Sequence, residues 1–249
     1  MDLSVRLDRL SVSYGDVVAL NDVSVELPAG RSIAVVGPNG SGKSTLLKAI
    51  AGVVQPSSGT VDIGGRTSAI VLQSTDVDPH IPLSVRDAVL MARFPSAGLL
   101  GRLGRADRDA SHRALKQLGL DGLADQQIHR LSGGQRQRTF VAQGLAQEAE
   151  VLLLDEPMAG LDVISQSLIG NALDDLIDAG GTTIMTTHSF TEARACDLVL
   201  LLATRAVAFG PPDEVLVESN LRLAFGERFV RVGNVLIVDD GSHDHATAR

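Results

Sequence analysis

The clearest candidate chemistry lies in the segment from Gly37 to Thr45, which reads Gly-Pro-Asn-Gly-Ser-Gly-Lys-Ser-Thr. An apolar run precedes it and apolar residues at helical spacing follow it, so we expect a strand, a tight loop and a helix. Glycines let successive backbone N–H groups face an anion, and the helix N-terminus adds partial positive charge. Lys43 would reach the β and γ phosphates, and the Ser44 hydroxyl would bind Mg²⁺.

This spacing predicts a phosphate-binding loop for a nucleoside triphosphate. A glycine turn before an ordinary helix is the alternative, but every fixed position of the motif matches. The predicted nucleotide-binding residues of the loop are Gly37, Asn39, Gly40, Ser41, Gly42, Lys43, Ser44 and Thr45.

Polar residues also follow predicted strands further along the chain. Val151 to Leu154 is an unbroken aliphatic run, typical of a buried parallel strand, and Asp155 and Glu156 come directly after it. Functional groups of an open α/β sheet lie at the carboxyl ends of its strands. We therefore expect Asp155 to join the magnesium shell and Glu156 to orient and deprotonate an attacking water. Gln73 and His188 each end another predicted strand, which favours a catalytic role at the same edge.

A second candidate anion site is Leu131-Ser132-Gly133-Gly134-Gln135, which precedes a predicted helix. Ser132-x-x-Gln135 is a capping box, so we expect Ser132 to begin that helix. A glycine-rich helix start exposes backbone N–H groups to an anion. Many helices begin this way without binding a ligand. The position of the motif between the phosphate loop and the acidic strand favours a functional role.

Composition narrows the class of function. The 249 residues carry a formal net charge of −8 with no basic block, which argues against a surface built for nucleic acid. There is no Trp and only one Tyr, so platforms for stacking single-stranded bases are also missing. A hydrophobic content of 44% supports a folded core.

Cysteine usage and hydropathy bear on the compartment. Cys196 is the only cysteine, which rules out an internal disulfide, fits a reducing compartment and predicts a small buried hydrophobic side chain. The N-terminal residues do not have the pattern of a signal peptide. The longest apolar runs are shorter than the roughly 20 residues that a spanning helix needs. Any membrane-spanning part would therefore come from other chains.

The order of elements predicts an α/β fold with a mainly parallel sheet. Alternating apolar residues between 3 and 27 predict an N-terminal antiparallel β subdomain. Helical patterns, including a capping box at Ser84, predict a helical subdomain inserted at about residues 74–150. We expect one domain over residues 1–225 and a short C-terminal extension over residues 226–249. The extension has a possible hairpin and a polar tail with His243 and His245, where metal binding is conceivable but a frayed terminus is favoured.

The ordered motifs together resemble the ATP-binding subunit of an ABC transporter over roughly residues 3 to 225. The resemblance implies a P-loop NTPase core of the ABC ATPase type and ATP hydrolysis with Mg²⁺. The motifs that carry it are Tyr14, Gly37–Thr45, Gln73, Leu131–Gln135, Val151–Glu156, Asp162 and His188.

The resemblance also implies roles for these residues. Tyr14 would stack on adenine, Gln73 would contact Mg²⁺ and the attacking water, and His188 would hold the γ-phosphate. The loop at Gln73 would also touch the membrane subunit. In an ATP-sandwich dimer, a second copy would complete each nucleotide pocket. The residues that would act in trans are Ser132, Gly133, Gly134, Gln135 and Asp162.

The implied partners are a second copy of the chain, integral membrane permease subunits and, indirectly, an extracytoplasmic solute-binding protein, with no nucleic acid. The implied location is the cytoplasmic face of the cell membrane. Softer similarities favour importers of manganese, zinc or chelated iron. They lie in Ile81–Arg93, Leu145–Ala149, Ala208–Pro211 and Glu214–Val215.

Three alternatives stay open from the sequence. An importer of iron siderophores or haem would use a similar ATP subunit. A non-transport ABC ATPase that acts on DNA or ribosomes would carry coiled coils or two ATP domains, and this chain has neither. An unrelated P-loop kinase would explain Gly37–Thr45 but would leave Leu131–Gln135 and His188 without a role.

Overall fold

The computed structural model describes residues 3–73, 78, 80–97, 102–226, 229–232 and 235–238. In chain order, the strands among them are β1 (Leu3–Tyr14), β2 (Val17–Pro28), β3 (Ser32–Val36), β4 (Ser58–Asp62), β5 (Ser68–Val71), β6 (Val151–Asp155), β7 (Thr182–Thr186), β8 (Leu198–Ala203), β9 (Arg205–Gly210), β10 (Phe229–Val232) and β11 (Val235–Val238). The helices are α1 (Lys43–Ile50), α2 (Val85–Met91), α3 (Phe94–Ala97), α4 (Arg105–Gln117), α5 (Gly133–Leu145), α6 (Val163–Asp178), α7 (Phe190–Ala195), α8 (Pro212–Val215) and α9 (Glu218–Phe225).

The central sheet has the strand order β5-β6-β7-β3-β8-β9. All neighbours pair in parallel except β8 and β9, which form an antiparallel edge. The inner strands β3, β6 and β8 are largely apolar because both faces of the sheet are covered, whereas β7 also buries threonines. Along β3, Ile33 packs into one core and Ala34 into the other, and Leu153 and Leu154 alternate in the same way on β6. The expected α/β fold with a mainly parallel sheet is confirmed.

The N-terminal strands form a separate antiparallel sheet of order β2-β1-β4. The apolar alternation noted in the sequence is the cause, because it buries one face of β1 and β2 over α1 and the central sheet. Val5, Leu7 and Leu20 are fully or almost fully buried there. The predicted antiparallel strands are confirmed, and each is twelve residues long.

Helices α2, α4 and α5 pack together on the other face of the central sheet. Ser84 caps α2 as predicted, since its hydroxyl accepts a hydrogen bond from the Asp87 backbone N–H at 3.1 Å. Arg93 joins the ends of these helices, with Nε 3.0 Å from Asp107 Oδ1 and Nη1 2.9 Å from the Ala146 carbonyl. The division into a 1–225 domain, an insertion at about 74–150 and an extension stays a prediction.

The C-terminal part consists of short elements. Helices α8 and α9 contact β8 and β9, and β10 pairs antiparallel with β11 in the expected hairpin. Residues 233–234 between these two strands and the tail with His243 and His245 lie outside the described residues. Within the described part of the chain, no helix has the length and apolar character to cross a membrane.

Candidate functional site

The phosphate loop connects β3 to α1 and has the predicted strand–loop–helix form. Its tip, Asn39 and Gly40, is exposed, and α1 begins at Lys43. Gly42 has a φ of 93°, and a Cβ there would lie 2.6 Å from Leu20 Cδ2 and against the Ala19 carbonyl oxygen. A Cβ at Gly37 would likewise collide with the Leu202 carbonyl. These glycines therefore let the loop lie tightly against β2 and β8.

Lys43 lies inside the loop rather than in solvent. Its Nζ donates hydrogen bonds to the carbonyl oxygens of Gly37 at 2.8 Å and Pro38 at 3.1 Å. Burial lowers the pKa of Lys43 from its ordinary range, and the negative charges of Glu156 and Asp155 oppose that shift. The loop thus holds an ammonium group at the place where the motif predicts phosphates.

The carboxyl end of β6 meets the start of α1. Asp155 is buried, and its Oδ1 accepts hydrogen bonds from Ser44 Oγ at 3.0 Å and from Thr186 Oγ1 at 2.7 Å. The same Thr186 hydroxyl accepts a hydrogen bond of 2.9 Å from the backbone N–H of Glu156. The sheet register produces this arrangement, because Asp155 on β6 lies opposite Thr186 on β7.

Glu156 is the centre of a second set of contacts. Its Oε2 accepts a hydrogen bond from Gln73 Nε2 at 2.8 Å, and its Oε1 lies 2.6 Å from His188 Nε2. These residues follow β6, β5 and β7, which are neighbours in the sheet. The structure therefore brings together all three residues for which the sequence predicts catalysis. Glu156 has a φ of 49°, a left-handed conformation that is uncommon outside glycine.

Tyr14 lies at the end of β1, paired with Val17 across the hairpin, and is 49% exposed. The same hairpin supplies Ala19 and Leu20, which contact the phosphate loop at Gly42. An exposed aromatic ring therefore belongs to the strand pair that flanks the loop.

The predicted trans residues form a second cluster. Ser132 begins α5, with its Oγ accepting from the Gln135 N–H at 3.2 Å and its own N–H donating to Gln135 Oε1 at 3.0 Å. Asp162 begins α6 in the same way by accepting hydrogen bonds from Ser165. A Cβ at Gly134 would lie 2.7 Å from Ser165 Oγ and 2.9 Å from Asp162 Oδ2, so the two helix starts are in close contact.

The second cluster combines a carboxylate of lowered pKa with exposed apolar side chains. The Ser165 backbone N–H, and next its hydroxyl, hold the pKa of Asp162 below its usual range. The following residues Val163 and Ile164 are 80% and 71% exposed. The bonds of Ser132 and Gln135 described above join these two residues to each other rather than to Lys43 or Glu156.

Thr186 is a site residue that the sequence analysis did not single out. It is fully buried and lies between Asp155 and Glu156, as described above. The available signal was a hydroxyl side chain in a buried strand, two residues before His188. Threonine is common in strands, so that signal is weak without the register.

The residues present fit a magnesium ion. Ser44 Oγ and Asp155 Oδ1 are hard oxygen donors held 3.0 Å apart beside the phosphate loop. No group of three or more His, Cys, Asp or Glu side chains suited to a metal occurs in the described part of the chain. Mg²⁺ is typically bound by one or two protein ligands together with substrate phosphates, and the two oxygens match that requirement.

Comparison with known proteins agrees with this geometry. Residues 20–159 match the family described as ABC transporter. The manganese transport system ATP-binding protein MntB of Listeria innocua is 37% identical over 231 residues, covering 90% of this chain and 96% of that protein. The zinc transport system ATP-binding protein TroB of Treponema pallidum is 37% identical and covers 90% and 88%. A solved structure described as an inward-facing ABC transporter of the metal-chelate type superposes with a TM-score of 0.80 at 29% identity, covering 96% of each chain.

The chain therefore belongs to the ABC transporter family, among its ATP-binding subunits. It binds a nucleotide, and its enzymatic activity is ATP hydrolysis. Membership in this family implies a paired ATP-binding subunit and membrane permease subunits as partners.

Proposed function

We propose that this chain energises a metal-ion importer, for manganese or zinc, from the cytoplasmic face of the cell membrane. The observation that carries the proposal is the similarity, along 90% of the chain, to ATP-binding proteins named for manganese and zinc transport. An importer of chelated iron, such as iron siderophore or haem, is the second candidate, because the metal-chelate type transporter has the same fold over 96% of the chain.

Hydrolysis uses the residues around Glu156. A water oxygen attacks the γ-phosphorus, the bond to the bridging oxygen of the β-phosphate breaks, and the water proton passes to the Glu156 carboxylate. Gln73 and His188 now engage both oxygens of that carboxylate. ATP entry would draw His188 to the γ-phosphate and Gln73 to the water, which would free the Glu156 carboxylate to act as the base.

The phosphate loop and Asp155 do the remaining work within one copy. Lys43 would exchange its carbonyl partners for phosphate oxygens, and Tyr14 would stack on the adenine ring. Bound Mg²⁺ would supply positive charge to the β and γ phosphate oxygens, with Ser44, Asp155 and Gln73 as its protein contacts. None of these residues would shield the far side of the γ-phosphate from water.

A second copy of the chain would shield that side of the γ-phosphate. Phosphoryl transfer is favoured when donors surround the γ-phosphate, and one loop cannot do so. The cluster of Ser132, Gly133, Gly134 and Gln135 with Asp162 exposes a helix start beside Val163 and Ile164, as an interface requires. Two ATP molecules would thus be held between two protomers, and the dimer would loosen after hydrolysis.

The mechanism is tested with Glu156→Gln in the full chain. We expect ATP binding to be retained, turnover to fall by about 10²–10⁴-fold, and an ATP-bound dimer to accumulate in Mg²⁺ and ATP. Lys43→Ala is the control, and it should weaken nucleotide binding itself in calorimetry. Turnover near that of the wild type in Glu156→Gln would refute the role of Glu156 as base.

The transported substrate is tested in the complex with its permease, reconstituted in proteoliposomes. ATP turnover is measured with solute-binding protein loaded with Mn²⁺, Zn²⁺, ferric siderophore or haem. Stimulation by the Mn²⁺- or Zn²⁺-loaded protein supports the proposal. Stimulation by the siderophore- or haem-loaded protein alone would replace it with the second candidate.

A further inference from the structure

We infer that Thr186 is a positioning residue for hydrolysis, because one buried hydroxyl orients both the Asp155 carboxylate and the Glu156 backbone. The inference rests on the roles proposed above for Asp155 and Glu156. It concerns a fully buried residue that acts through these neighbours.

A hydroxyl group has one hydrogen to donate and lone pairs to accept. Thr186 Oγ1 donates to Asp155 Oδ1 at 2.7 Å and accepts from the Glu156 N–H at 2.9 Å. Its only hydrogen is therefore committed to the carboxylate, which fixes the direction of the hydroxyl. Thr186 is fully buried, so water cannot replace either bond in the folded protein.

The hydrogen bond to Asp155 holds one of the proposed magnesium contacts in place. Oδ1 of Asp155 also accepts from Ser44 Oγ at 3.0 Å, so Thr186 and Ser44 hold the same oxygen from two sides. One of these donors stands on α1 and the other on β7, which are separate elements. The carboxylate is thereby held in one rotamer before nucleotide binds, which reduces the ordering that binding must impose.

The bond to Glu156 supports an unusual backbone. Glu156 has a φ of 49°, a left-handed conformation that is strained outside glycine. Such a conformation persists only where its surroundings hold it, and the Thr186 hydroxyl is the acceptor for its N–H. The conformation in turn directs the side chain toward Gln73 and His188.

The competing explanation is that Thr186 has only a structural role, because threonine suits a buried strand. The chain offers a matched control at the opposite end of β7. Thr182 is 1% exposed, and its hydroxyl accepts one hydrogen bond of 3.0 Å from the Gly30 N–H. Thr182→Val therefore also removes a buried hydroxyl from β7, but far from the carboxyl ends of the strands where Asp155 and Glu156 lie.

The test compares Thr186→Val, Thr186→Ser and Thr182→Val in the full chain, by kcat and KM for Mg-ATP and by thermal unfolding. Thr186→Val keeps the shape and loses the hydroxyl, so we expect kcat to fall about 10–100-fold, with a smaller rise in KM because Asp155 is less well held. Thr186→Ser should restore kcat to within about three-fold. Thr182→Val should lower the unfolding temperature about as much as Thr186→Val does, and it should leave kcat within about two-fold of the wild type.

Two outcomes would overturn the inference. One is a Thr186→Val kcat within two-fold of the wild type, and the other is a Thr186→Ser kcat as low as that of Thr186→Val. Glu156→Gln in the same assay separates this failure from that of the proposed function. If Glu156→Gln is inactive and Thr186→Val is fully active, only the inference fails. If Glu156→Gln is active, the role of Glu156 as base fails first.

Discussion

The tight contact of Gly42 with the N-terminal hairpin leads to a prediction about stability. Gly40 and Gly42 lie in the same loop with positive φ angles of 77° and 93°. A Cβ at Gly40 would meet nothing within 4 Å, whereas one at Gly42 would lie 2.6 Å from Leu20 Cδ2 and against the Ala19 carbonyl. The pair thus separates the cost of the backbone conformation from the cost of steric overlap.

The expected magnitudes follow from these two terms. Gly40→Ala bears only the left-handed backbone penalty, roughly 1–2 kcal/mol, which lowers the unfolding temperature by about 2–8 °C for a chain of this size. Gly42→Ala adds overpacking of about 1–3 kcal/mol, because the Ala19 carbonyl is backbone and cannot rotate away. We expect a total loss of about 2–5 kcal/mol and a shift of about 4–20 °C. The gain from restricting the unfolded chain is the same in both variants and cancels.

The assay is thermal unfolding of both variants without nucleotide, followed by ATP binding in calorimetry. The binding measurement shows whether displacement of the loop from β2 also weakens the nucleotide site. Equal unfolding temperatures for Gly40→Ala and Gly42→Ala would refute the reasoning, since steric overlap with the hairpin would then contribute nothing.

Three further predictions concern Tyr14 at the site and Cys196 in the core. Tyr14→Ala should weaken ATP binding by about 1–3 kcal/mol, because the aromatic ring stacks on the base. Tyr14→Phe should retain most of the affinity, because the hydroxyl takes no part in stacking. Equal ATP affinities of the Ala and Phe variants in calorimetry would contradict this. Burial raises the pKa of Cys196 to about 12, so the native thiol should resist labelling by a thiol-specific disulfide reagent at pH 8 and react after unfolding in urea. The unfolded thiol ionises at lower pH than the folded one, so Cys196 should lower stability as the pH rises from about 9 towards 12, and Cys196→Ala should flatten that fall in urea titrations.

Local sequence patterns were sufficient for much of the fold and for the grouping of site residues. The spacing of Gly37–Thr45 predicted a loop between β3 and α1, and the aliphatic run before Asp155 predicted a buried parallel strand. Capping boxes at Ser84 and Ser132 located two helix starts, because the bonds that make them are local in sequence. Gln73, Glu156 and His188 could be grouped before the structure, since carboxyl ends of parallel strands share one edge.

Only the tertiary structure decided which atoms meet. Thr186 serves Asp155 and Glu156 because β6 and β7 are neighbours in one register, and a shift of one residue would turn its hydroxyl to the other face. The approach of Gly134 to Asp162 likewise depends on how α5 and α6 pack. The sequence determined which residue types follow each strand and begin each helix, since those patterns are local. Strand order and helix packing join residues far apart in the chain, and no local pattern contains that information.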